Sequence, residues 1–102
     1  VFAYDDYQHI RFERHEPNIL WLTLNRPAVL NAANARLHTE FVEVWKTIGA
    51  DPSVHVAVVT GAGRAFSAGG DLSWVEAAYQ NYDEINRILD EARALVYNML
   101  HC

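Results

Sequence analysis

Thr60-Gly61-Ala62-Gly63-Arg64-Ala65-Phe66-Ser67-Ala68-Gly69-Gly70-Asp71-Leu72 is the stretch whose reading decides the fold. The apolar, β-branched run Val56-Ala57-Val58-Val59 precedes it, and a patterned segment begins near Asp71. Strand, glycine-lined loop and helix start, in that order, aim bare backbone N–H groups at an anion or a polarised carbonyl. The first N–H groups of a helix lack intrahelical partners, and the helix dipole adds positive potential there. Gly69 and Gly70 carry no Cβ, so a ligand can approach the main chain closely. Two commoner glycine motifs fail. A dinucleotide fingerprint needs a third glycine where Phe66 stands, and a phosphate-binding P-loop needs Lys-Ser/Thr where Gly70-Asp71 follow Gly69.

Outward from this loop the elements are legible by period. His9-Ile-Arg-Phe-Glu-Arg14 alternates as a half-buried strand does, Glu16-Pro-Asn18 signals a turn, and Ile19-Leu-Trp-Leu-Thr-Leu24 is a nearly continuous apolar strand. An antiparallel hairpin is expected, its second strand covered on both faces and ended by Arg26-Pro27. Asn34 is a plausible N-cap for a helix whose Leu37, Phe41, Val44, Trp45 and Ile48 share one face, stopped by Gly49 and Asp51-Pro52. With the strand at 55–60, residues 19–60 form a β-α-β unit. A short helix over 71–80 and a longer one from near Asp83 follow. The longer one places Ile85, Ile88, Leu89, Ala92, Leu95, Val96 and Met99 on one face, and its apolar pattern still runs at Met99-Leu100.

Composition bounds the possibilities. The chain has 102 residues, half of them hydrophobic, so it is one globular domain at most. A net charge of −5 leaves no basic stripe for nucleic-acid phosphates. The single cysteine, Cys102, excludes an internal disulfide. No run is long and apolar enough to span a bilayer and residues 1–6 show no signal-peptide pattern, so a cytoplasmic location and no membrane partner are expected. Five histidines show no metal-ligand spacing. Glu40 and Glu43 stand i, i+3 on the first helix and are expected on a solvated face; Trp21, Trp45 and Trp74 are expected as core or interface anchors.

Residues 60–72 resemble, along their whole length, the first signature of the enoyl-CoA hydratase/isomerase (crotonase) family, T-G-x-G-x-A-F-S/C-A-G-x-D-L. Leu22-Thr-Leu-Asn-Arg-Pro27 followed by Leu30-Asn31-Ala32 resembles the family's L-N-R-P-x-x-L-N-A block, and Asp51-Pro52-Ser53-Val54 its D-P-x-V lead into the next strand. The resemblance implies an α/β, crotonase-like (ClpP/crotonase) fold of repeated β-β-α spiral units. Residues 1–102 would be the N-terminal part of a single such domain.

It also implies a chemistry. Family enzymes bind an acyl-CoA thioester and stabilise its enolate with two backbone N–H groups in an oxyanion hole. The first falls on Gly70 here, and one such donor is typically worth about 2.7–4 kcal/mol. Backbone at Ala28, Leu30, Ala68, Gly69, Asp71 and Leu72 is implied to line the substrate, with Asp71 alternatively serving only to cap a helix. Arg26 and Arg64 are candidates for CoA phosphates or plain solvated arginines, and Glu76 is an outside candidate for a general base. Coenzyme A enters as part of the substrate, with no tightly bound cofactor and no metal. A homo-oligomer, trimer or hexamer, is the family's usual assembly. The second oxyanion donor and the acid/base glutamates lie beyond the matched region, so the 102-residue chain alone is expected to be inactive as a hydratase. Other crotonase chemistries (hydrolase, decarboxylase, dehalogenase), a non-catalytic CoA-thioester-binding member and a purely structural α/β domain are the alternatives.

Overall fold

The computed structural model describes residues 2–102. Strands β1 (Ile10–His15) and β2 (Ile19–Leu24) pair antiparallel, Ile10 opposite Leu24 and His15 opposite Ile19. A single 3-10 turn, Pro27–Val29, leads to helix α1 (Ala35–Gly49). The Asn34 side chain accepts a hydrogen bond from the Leu37 N–H at 2.8 Å, satisfying one of the donors that open the helix. Strand β3 (Val56–Gly61) returns parallel to β2, so the sheet order is β1-β2-β3 and residues 19–61 make the expected β-α-β unit. Helices α2 (Leu72–Ala78) and α3 (Tyr82–Leu100) close the described chain.

The core lies between the sheet and α1. Ile10, Leu20, Leu22 and Leu24 pack with Leu37, Val44, Trp45 and Ile48 of α1, the helical face expected from the 3.6-residue period. Leu20 and Leu22 are fully enclosed, and each such side chain contributes about 1.5–3 kcal/mol by leaving water. β2 is not covered on both faces, however. Strand alternation sends Trp21 to the other side, where it remains 36% exposed beside His15. A continuous apolar run cannot reveal this, because burial of the second face requires a second layer.

Two further expectations are corrected. Glu40 is fully buried rather than solvated: its carboxylate accepts from the backbone N–H groups of Gln8 (2.8 Å) and His9 (2.9 Å) and from Arg36 Nε (2.6 Å). It thereby ties the segment before β1 to α1, whereas Glu43 pairs loosely with Lys46 at 3.7 Å. The apolar face expected on α3 is divided. Ile85, Ile88 and Leu95 are partly buried, but Leu89, Val96, Met99 and Leu100 stand exposed. Its contact with α1 is in good part polar, as where Asn98 Nδ2 donates to the Val42 carbonyl at 3.0 Å.

Candidate active site

The glycine loop is held by the segment that follows β2. Leu30 and Asn31 both adopt the left-handed conformation, with φ of 55° and 56°. Asparagine tolerates that region better than most residues, and the turn points its amide inward. Asn31 is completely buried, with Oδ1 accepting from the Arg26 N–H (2.8 Å) and Nδ2 donating to the carbonyls of Ala62 (2.9 Å) and Ala65 (2.8 Å). Its own carbonyl accepts from Ser67 Oγ at 2.9 Å, and that hydroxyl accepts in turn from the Gly69 N–H at 3.1 Å. One side chain thus ties the first sequence block to the start of the second. The sequence block containing Asn31 was visible, but its role as a clamp was not, since its partners lie 31 and 34 residues away.

Close backbone approach completes the loop. Ala68 N–H donates to the Leu30 carbonyl at 2.9 Å, Ala33 N–H to Gly69 O at 2.8 Å, and Asp71 N–H to Ala33 O at 2.8 Å. The last two bonds form an isolated parallel bridge between Ala33 and Gly70. In such a bridge the flanking residues make the bonds, so Gly70 turns its own N–H and C=O to the opposite edge. No described residue accepts a hydrogen bond from the Gly70 N–H, and Gly70 is exposed. Gly69 has φ of +93°, a conformation that side chains with a Cβ rarely adopt, so glycine there sets the path of the chain. Immediately beyond, Asp71 Oδ1 caps α2, accepting from the Ser73 N–H (3.1 Å) and hydroxyl (2.6 Å). The Ser73 hydroxyl is the chief cause that holds the Asp71 carboxyl below its ordinary range, with Arg26 at 3.7 Å adding a smaller share.

The structure therefore gathers Leu30, Ala68, Gly69, Gly70 and Asp71 into one patch. Ala28 and Leu72 are exposed in its flanking elements, Leu72 to 76%. Leu30, Ala68, Gly69 and Asp71 spend their N–H groups on the fold, leaving Gly70 as the free donor among the five residues of the patch. Arg26 is largely enclosed rather than solvated. Its guanidinium donates to the Ala32 carbonyl and faces Asp71, which locks the first block to the second. Arg64 and Glu76 are both exposed.

The site is a free backbone donor presented at the end of a β-strand–glycine-loop–helix connection. Comparison with known proteins specifies the class. The family model for enoyl-CoA hydratase/isomerase matches residues 14–100, and the chain belongs to that family. An enoyl-CoA hydratase/isomerase from Mycobacterium paratuberculosis superposes with a TM-score of 0.85 at 36% identity, over 92% of this chain and 37% of that one. The mixed α/β architecture is thus the partial-length crotonase fold. Mevalonyl-coenzyme A hydratase SIDH of Beauveria bassiana is 45% identical over 64 residues, covering 62% of this chain and 23% of its own length. The 1,2-epoxyphenylacetyl-CoA isomerase of Escherichia coli is 41% identical over 58 residues, covering 57% and 22%. The chain spans less than a quarter of those two curated relatives and just over a third of the solved structure.

Proposed function

We propose that this chain supplies the acyl-CoA-binding, enolate-stabilising part of an enoyl-CoA hydratase/isomerase-type enzyme. The observation that carries the proposal is the Gly70 N–H, exposed and left without an acceptor by the Ala33 bridge. A thioester oxygen that gains charge as the enolate forms would accept from it, with the loop backbone from Ala68 to Leu72 along the substrate. The donor is main chain, so glycine at position 70 suits the role. The relatives named above are a hydratase and an isomerase acting on different CoA thioesters, which supports the CoA portion as the common element. Residues 1–102 are then the first part of one crotonase-like domain, and a cytoplasmic trimer or hexamer is the assembly proposed with it.

The test follows the Gly70 amide by NMR in the purified chain. Acetoacetyl-CoA, whose enolisable acyl group carries a delocalised oxygen charge, is expected to shift that resonance downfield and saturably. Free coenzyme A is expected to shift loop neighbours and leave Gly70 nearly in place. Binding of acetoacetyl-CoA with an unmoved Gly70 amide would remove the oxyanion role; absence of binding by either compound would remove the CoA reading.

A further inference from the structure

Two peptide groups connect the free backbone donor to a cation. The Gly69 C=O and the Gly70 N–H belong to one peptide, and the Ala32 C=O and the Ala33 N–H to another. Both peptides are trans, so each points its N–H opposite to its C=O. The Ala33 N–H donates to Gly69 O at 2.8 Å, which joins the two in line. At the far end, Arg26 Nη1 donates to Ala32 O. The order is therefore guanidinium, Ala32–Ala33 peptide, Gly69–Gly70 peptide, and then the open position that the Gly70 N–H faces.

Such a row is directional. A hydrogen bond accepted by a carbonyl polarises its peptide and strengthens the N–H across it, by about 10–30% per bond. A charged first donor contributes most. Ala32 is buried and the Arg26 side chain is only 18% exposed, so solvent and salt screen the row weakly. One neighbouring charge works against an anion at this place. Asp71, next in sequence to Gly70, holds its carboxylate 3.7 Å from Arg26 Nη2, and the guanidinium offsets it. Asn31 and the Ala33 bridge already join the two sequence blocks, so what Arg26 adds to them is its charge.

We infer that Arg26 is a positioning residue for the oxyanion donor, orienting and polarising the Gly70 N–H through the Ala32–Ala33 and Gly69–Gly70 peptides. The inference rests on the acyl-CoA reading above and adds to it the group that tunes the donor. Three hydrogen bonds and two peptide groups span about 13 Å, and a unit charge at that distance in partly buried surroundings alters anion affinity by up to roughly tenfold.

NMR on the unsubstituted, purified chain tests it, a readout independent of how any variant folds. When acetoacetyl-CoA accepts from the Gly70 N–H, the Ala33–Gly69 hydrogen bond should tighten with it. The Ala33 amide proton should then move downfield together with that of Gly70. The scalar coupling across that bond, between the Ala33 nitrogen and the Gly69 carbonyl carbon, should grow. Free coenzyme A should change neither. In Arg26→Gln, which offers a neutral donor in place of the charge, affinity for acetoacetyl-CoA relative to free coenzyme A should fall roughly three- to tenfold. Arg26→Lys, which restores the charge without the planar fork, should recover part of that ratio. A Gly70 amide that moves while the Ala33 amide and the coupling stay fixed, or an Arg26→Gln chain with an unchanged ratio, overturns the inference alone. Acetoacetyl-CoA binding with an unmoved Gly70 amide, or no binding by either compound, overturns it together with the reading it rests on.

Discussion

Replacing Asn31 by alanine should loosen the whole site from behind. The substitution removes three side-chain hydrogen bonds and leaves the Arg26 N–H and the carbonyls of Ala62 and Ala65 without their partner. At about 0.5–1.5 kcal/mol for each bond, the loss comes to about 3 kcal/mol. Alanine in a left-handed conformation (φ 56° here) adds about 1 kcal/mol. A domain of this size is held by roughly 5–15 kcal/mol, so about 4 kcal/mol is a large part of the total. In urea, with a slope of about 1.5 kcal/mol per molar, the unfolding midpoint should fall by roughly 2–3 M. Asn31→Gly separates the causes: glycine accepts the left-handed backbone but makes none of the bonds, and its extra freedom when unfolded narrows the gap to alanine. It should still cost about 3 kcal/mol. An Asn31→Gly chain within about 0.5 kcal/mol of the unsubstituted one would refute the clamp, because only the hydrogen bonds distinguish them in the folded state.

Two other outcomes follow from single positions. A Cβ at Gly61 would lie 2.5 Å from the Phe66 carbonyl oxygen and 2.7 Å from its Cα, and closer still to the Ala65 carbonyl. Gly61→Ala must therefore displace backbone, and a loss of more than about 2 kcal/mol is expected by urea unfolding; a stable variant with unshifted loop amides would show that the loop yields freely. The pH profile of the thermal midpoint should be flat in the middle and fall at both ends. Ser73 lowers the Asp71 pKa, and Ser53, Tyr4 and Arg14 lower that of Asp51. Stability from these carboxylates is present above their ordinary range near pH 4 and lost as acid protonates the folded form. Burial raises Tyr4 and Tyr7 to about 12, so their share is present below about pH 10 and lost between there and pH 12. Phenolate absorbance complete by pH 10 would contradict that placement.

The parts of this fold that local sequence spells out were legible. Asn34 and Asp71 cap helices as their residue types suggest, the α1 face is buried at its 3.6-residue period, and the glycine loop sits between β3 and α2. What escaped depends on partners distant in the chain. Glu40 lies on a helix face that local charge spacing marks as solvated, yet the backbone of Gln8 and His9 arrives from 32 and 31 residues away to desolvate it. Arg26 reads as a surface cation until the turn at Leu30 and Asn31 brings the Ala32 carbonyl and Asp71 to it. The His38–Glu91 pair spans 53 residues between two helices, each of which taken alone shows only an ordinary polar position.

The bridge between Ala33 and Gly70 has an implication for how this surface would tolerate genetic change. A Cβ at position 70 would meet only the Val75 Cγ2 methyl, at 3.1 Å, which a small rotation can relieve. On the oxyanion reading proposed above, the acting atom belongs to the chain's path, so side-chain identity at that position is nearly decoupled from what the position would contribute. A mutational scan scored on tolerance would rank residue 70 as permissive and residue 31, buried behind the loop, as indispensable. Constraint on such a site is displaced from the group that acts to the groups that steer it.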